Sequence, residues 1–280
     1  MMRGPGRMAT ALRRADGTIS VQVQSFAGWA EGRAWLKWPV IRGVVALGEA
    51  LVLGVSSLLY SAQMAAEGEG EHVGGWQLGL TLAASVALAV GLFVLLPTGA
   101  VGPLVRAGWQ PWALNLVEGL LRVLILLGYV AAIARLRDIQ RVLEYHGAEH
   151  KVIWAYETGG PLTPERARTC SRLHPRCGTA FLLIAVLASI LCFAFLGWPA
   201  FIWRFLSRLA LLPLVAGIAY EGIKLSARSR GWLGRALSRP GLWLQGFTTR
   251  EPDDGQIEVA IKALEAVLEP EDVCHVAVGG

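Results

Sequence analysis

Residues 76–97, WQLGLTLAASVALAVGLFVLLP, contain no ionisable side chain. A hydrocarbon layer about 30 Å thick needs about 20 such residues in a helix rising about 1.5 Å each. No backbone polar group can stay unpaired in that layer, so a helix is the form the segment must take. Other stretches read the same way with interruptions. Residues 39–62 (PVIRGVVALGEALVLGVSSLLYSA) carry Arg42 and Glu49, and residues 113–136 carry Glu118 and Arg122 on one helical face. Residues 178–198 and 201–220 read as a helical hairpin turning at Trp198-Pro199. Composition agrees: 17% of the chain is charged and 54% hydrophobic, against about 25% charged in soluble domains. The expected fold is a mainly α, polytopic membrane protein with four to five membrane helices.

The rest of the chain is ordered around those helices. Residues 1–38 hold two alternating stretches around Asp16-Gly17, a tight-turn dipeptide, and predict a small β-hairpin with Ile19, Val21 and Val23 on its apolar face. Residues 39–136 hold the first membrane helices, 137–177 a polar loop, 178–220 the helical hairpin and 221–280 a tail. The tail ends in an amphipathic helix with Ile257, Ala260, Ile261, Leu264 and Val267 on one face. No cleavable signal peptide is expected, because the first 35 residues lack a continuous apolar core. Cys170, Cys177, Cys192 and Cys274 match no disulfide framework or zinc-finger spacing, which fits a reducing compartment.

Loop charge predicts sidedness. Residues 135–177 carry eight Lys or Arg and residues 222–250 six, while 62–75 carry Glu67, Glu69 and Glu71 and no Lys or Arg. Basic loops stay inside, so the central loop, the basic N-terminus and the C-terminus are expected in the cytoplasm of a cell whose inner (plasma) membrane holds the protein. Three full crossings before residue 137 contradict that. One of the first three segments is therefore re-entrant or interfacial: 39–62, for its charges and glycines, with 113–136 as the alternative. The net charge of +5 flanks apolar segments, as juxtamembrane charges do, and no nucleic-acid module is present.

The chemistry is concentrated in the central loop. Glu144–Glu157 fits a helix, and HGAEH, residues 146–150, places His146 and His150 on one face with Glu149 beside the second. The pattern H-x-x-E-H is the inverted form of the zincin motif, with two imidazoles for one ion and a carboxylate as general base. Taken alone, the histidines of such a helix are as well read as hydrogen-bonding to neighbours. His174 and Cys177 of LHPRCGT follow just before a membrane helix, so a four-ligand site can be drawn from His146, His150, His174 and Cys177, with zinc the expected ion. Cys177-Gly178 also reads as a helix start, with Arg176 as an interface anchor. Glu118 and Arg122 read as an ion pair between helices, Glu49 as a buried carboxylate in search of a partner, and Glu221 as a helix-end carboxylate able to approach the histidines.

The strings MMRGP, PVIRGVVALGEALVLG, YHGAEHK, LHPRCGT, LLPLVAGIAYEGIK and PGLWLQGFTTREPDDGQIEVAI resemble, in that order, the YqhQ-like membrane proteins. This is a bacterial family of unknown function whose members are often described as predicted metal-dependent enzymes. The resemblance covers nearly the whole chain and implies a metal site at His146, Glu149, His150, His174 and Cys177. Family members carry a glycine-rich apolar stretch ahead of MMRGP that is absent here, so a late start or a missing segment is expected.

Three functions fit these residues. A scaffolding or assembly role beside another membrane complex, with metal clamping the loop, stands first. A membrane-embedded metal-dependent hydrolase acting on a lipid-linked or peptide substrate is the alternative. A transporter using Glu49, Glu118 and Arg122 comes third, weakened by the lack of paired broken helices in repeated halves.

Overall fold

The computed structural model describes residues 1–14, 16–68, 75–228 and 231–268. Glu69 and Glu71 of the acidic loop, and Cys274, lie outside them. Three strands, β1 (Met2–Gly4), β2 (Arg7–Arg13) and β3 (Ile19–Ser25), form one antiparallel sheet in the order β1-β2-β3. The β2–β3 hairpin turns where expected: the Asp16 side chain accepts from the Thr18 N–H at 2.9 Å, and Gly17 adopts φ +85°, open to glycine without strain. A third strand joins because the MMRG string folds back at Gly6 and pairs Met2 with Ala9. The buried residues are Met2 of β1 and Met8, Ala9 and Thr10 of the central strand. Val21 and Val23, on the edge strand β3, are exposed.

The apolar segments form helices: α1 (Ile41–Gly68), α2 (Gly75–Val90), α5 (Pro111–Ile133), α8 (Thr179–Ala194) and α9 (Phe201–Arg228). A π-helical turn at Gly91–Leu95 and two short helices, α3 (Leu96–Ala100) and α4 (Gly102–Arg106), carry α2 on to residue 106. Four stretches are long and apolar enough to cross a membrane: Ile41–Met64, Gly75–Arg106, Pro111–Ile133 and Phe201–Ser226, with Thr179–Ala194 a shorter fifth. The protein is thus a mainly α, polytopic membrane protein. α9 continues to Arg228, past the boundary at 220 suggested by hydropathy. Within the tail, Trp232–Thr248 forms α10, which packs on α8 and leaves Trp243 and Phe247 exposed.

A polar cap sits at one end of this bundle. α6 (Arg137–Glu157), α7 (Pro164–Arg168) and α11 (Asp254–Glu265) pack with β1 and β2 around a core that includes Ala148, Val152, Ile257, Ile261 and Leu264. The tail's predicted apolar face is this core: Ile257, Ala260, Ile261, Leu264 and Val267 are all buried. Each large side chain there contributes about 1.5–3 kcal/mol of burial. A reciprocal cap starts α11: Asp253 accepts from the Gln256 N–H and the Gln256 side chain accepts from the Asp253 N–H. The Gln256 amide then donates to Glu144, joining α11 to α6 at 2.8 Å.

Helix α1 links bundle and cap. Its first turns lie on α9, where Arg42 grips Glu221. Further along, Glu49 takes Arg3 at 2.8 Å and the Trp29 N–H at 2.6 Å, and Ser57 meets Thr10 at 3.2 Å.

Candidate metal centre

α6 delivers His146 and His150 one helical turn apart, with ring centroids 4.4 Å from each other. The segment 170–178, between α7 and α8, folds back over α6 and brings Cys177 to them. His146 Nε2 lies 3.2 Å from Cys177 Sγ. Ligand atoms of His146, His150 and Cys177 all fall within 4.8 Å of one another. Atoms that close could share one metal ion, the tetrahedral edges of a zinc site being about 3.3–3.5 Å.

The other ring nitrogens are tied to backbone carbonyls. His146 Nδ1 meets the Thr248 carbonyl at 2.8 Å and His150 Nδ1 meets the Arg172 carbonyl at 2.6 Å. A carbonyl oxygen only accepts, so each Nδ1 carries a proton and Nε2 is the nitrogen left to ligate when the ring is neutral. That is the outer-shell arrangement that fixes metal-binding histidines. Neither contact was legible in the sequence, because any residue supplies a carbonyl.

His174 stands beside this group and not in it. Its Nε2 is 3.3 Å from Glu157, which also holds Arg176, and its Nδ1 accepts from the Arg176 N–H at 3.3 Å. The Gln245 amide clasps the His174 backbone from α10, accepting from its N–H at 2.8 Å and donating to its carbonyl at 2.9 Å. Of the expected four side chains, the structure gathers His146, His150 and Cys177, a group that could hold a metal, and turns His174 to Glu157. Lys151 secures the same segment by donating to the Arg168 and Cys170 carbonyls.

Charge within the group is shared unevenly. Burial opposes ionisation of the Cys177 thiol, but hydrogen bonds from His146 and His150 outweigh it and bring the thiol down to about 5. For His146, burial favours the neutral ring, yet the contacts with Cys177 and Thr248 raise its pKa above the ordinary value. His174 is lowered, mainly by burial, so it meets Glu157 as a neutral ring.

Glu149 faces open space. It accepts from the Met1 backbone nitrogen and, with His146, lines two cavities, of about 660 Å³ and about 500 Å³. The larger also touches His150, His174 and Cys177; the smaller runs between α6 and Gly54, Ser57 and Leu58 of α1. Gly147 makes the close packing possible. A Cβ there would lie 2.0 Å from the Arg250 carbonyl, in the strand of chain that carries Thr248 to His146. The glycine inside HGAEH was the available sign of that approach. The remaining charged candidates sit apart from this group: Glu49 with Arg3, Glu221 with Arg42, and Glu118 with Arg122 and Arg208.

Fold and site together define a polytopic membrane protein whose His/His/Cys group lies in a polar cap at one end of its helices. Residues 38–270 match the family described as a protein of unknown function (DUF1385). The chain is 33% identical to the uncharacterized protein YqhQ of Bacillus subtilis (strain 168), over 96% of this chain and 89% of that one. It belongs to this YqhQ-like family. No solved structure matches it at a significant level.

Proposed function

We propose that the protein is a membrane-bound metal-dependent hydrolase working at the cytoplasmic face of the plasma membrane. The carrying observation is the ligand count: three side chains converge, and the expected fourth, His174, is held by Glu157. Structural zinc sites close with four protein ligands, whereas catalytic sites use three and leave one position open. This favours catalysis over a clamp that only pins the loop, the reading the sequence put first.

His146, His150 and Cys177 would hold the ion, with zinc the best match to two imidazoles and a thiolate. Bound there, zinc supplies Lewis acidity that polarises a carbonyl or phosphoryl oxygen and makes water acidic near neutral pH. Glu149, beside His146 in the same cavities, is placed to take the proton from the attacking water and return it to the leaving group. The carbonyls of Thr248 and Arg172 keep the proton on each Nδ1, so that Nε2 is the nitrogen that would ligate.

Placement of α1 supports a lipid-linked substrate. The half of α1 that meets the sheet, and lines a cavity with α6, lies on the cap side, with Leu51, Val52 and Leu58 exposed. Read as an interfacial helix, α1 leaves an even number of crossings before α6, and the N-terminus, α6 and the C-terminus share the basic, cytoplasmic side. The cavity between α1 and α6 then opens from the bilayer surface toward Glu149.

Elemental analysis of detergent-purified wild type, His150→Ala and Glu149→Gln tests this, together with hydrolysis of a medium-chain nitrophenyl ester. Wild type and Glu149→Gln should hold about one transition metal per chain and His150→Ala none, with turnover in wild type alone. Wild-type protein without stoichiometric metal would remove the basis of the reading.

A further inference from the structure

A second polar cluster lies inside the bundle, at the end away from the cap. Glu118 on α5 is fully buried. It accepts from Arg122 at 2.8 Å, from Thr98 at 2.6 Å, and from both terminal nitrogens of Arg208 on α9. Arg208 also reaches Asn115 at 2.9 Å. Glu118 and Arg208 each lie seven residues into their helices, about 10 Å at 1.5 Å per residue and so well inside the apolar length.

Charge there is not balanced. Glu118 is the single carboxylate on the cluster among the described residues, against Arg122, Arg208 and the nearby Arg204. Arg204 bonds no carboxylate among them and stacks on Trp198, 4.1 Å from the ring centroid. The Nε of Arg208, on a side chain more than nine-tenths buried, has no acceptor at all among the described residues. An uncompensated charge at membrane depth is expensive and marks function by default.

Arg122, Arg204 and Arg208 line a cavity of about 350 Å³ whose other walls are mostly apolar, among them Phe93, Phe193, Phe205 and Leu212. The excess positive charge, with Arg204 on no carboxylate among the described residues, calls for an anion, and the long apolar walls for a hydrocarbon chain. We propose that this cavity binds one anionic, phosphate-headed lipid, its headgroup on Arg204 and Arg208 and one acyl chain along Phe93, Phe205 and Leu212. Arg204, three residues from the start of α9, meets the headgroup at the interface. Arg208 adds its charge from the cavity wall while its terminal nitrogens stay on Glu118. The site shares no residue with the metal centre and stands or falls separately.

The test uses full-length protein in nanodiscs of phosphatidylcholine doped with phosphatidylglycerol, with retained lipid counted by native mass spectrometry after transfer to detergent. Arg204→Gln is the main variant, because it leaves the Glu118 ion pairs intact; Arg239→Gln, an exposed arginine on α10, controls for general charge. Wild type and Arg239→Gln should retain one phosphatidylglycerol, and Arg204→Gln should hold it about tenfold more weakly, the scale of one charge-assisted bond. Melting temperature in pure phosphatidylcholine shows whether Arg204→Gln is folded. If it is not, Arg204→Lys, which keeps the charge and should restore retention, replaces it. Equal retention by wild type and a folded Arg204→Gln overturns the site. So does stabilisation by inorganic phosphate equal to that by phosphatidylglycerol, which would mean a small-anion pocket with no place for a chain.

Discussion

His146 Nε2 stands 3.2 Å from Cys177 Sγ, although 31 residues of chain separate them. That contact joins a thiol to a helical histidine pair, making a group that could hold a metal ion.

Removing any of the three ligands should empty the site, whereas removing His174 should not. Metal per chain is expected to fall from about one to near zero in His146→Ala, His150→Ala and Cys177→Ser. His174→Ala should keep its metal and lose about 1 kcal/mol of stability with the Glu157 contact. Elemental analysis beside thermal melts reads both. Loss of metal in His174→Ala would mean that four ligands bind.

The thiol of Cys177 should react as a thiolate well below neutral pH in metal-stripped protein. With its pKa down at about 5, iodoacetamide labelling of Cys177 should stay strong at pH 6, where an ordinary thiol is only about 0.3% ionised. Zinc should protect it. A folded-state pKa below the unfolded value stabilises the fold above the unfolded pKa, near 8.5–9. That contribution declines as pH falls toward about 5. Peptide mapping of labelled protein against pH checks the midpoint.

Gly147→Ala places a methyl group 2.0 Å from the Arg250 carbonyl. The chain at 248–250 must move off α6, taking the Thr248 carbonyl from His146. A loss of about 1–3 kcal/mol in stability is expected from the overpacking, with weaker zinc affinity measured by competition with a chromogenic chelator. Unchanged affinity would show that the Thr248 contact does not orient His146.

Gln245→Ala strips the backbone of His174 of both partners. Two buried polar groups are left open at about 1–3 kcal/mol each. Hydrogen exchange should therefore accelerate in 171–177 before it does in α6. Uniform acceleration across the cap would count against a local clasp.

Much of this architecture was legible because its causes are local. The charge-free run 76–97 had no alternative to a helix, and the spacing of Ile257, Ala260, Ile261 and Leu264 required a buried helical face, which α11 has. Asp16-Gly17 announced its turn. Val21 and Val23 misled, since alternation marks two faces of a strand but not which one a neighbour covers. The third strand depended on three residues too few to signal a strand unaided. α10 escaped notice because its apolar residues are broken by Arg235, Arg239 and Pro240.

The sequence by itself determined the membrane helices, the amphipathic closing helix, and a histidine pair with a neighbouring glutamate on one helical face. Each follows from a period of 3.6 residues or from an unbroken apolar length, which act within a few turns of chain. The tertiary structure alone decided that Cys177 joins the pair and that His174 goes to Glu157. It also decided that Glu118 answers to Arg208, ninety residues on, as much as to Arg122, four residues on. Those choices turn on how helices pack, and packing is set by shape and unpaired charge across the whole fold, which no local spacing records.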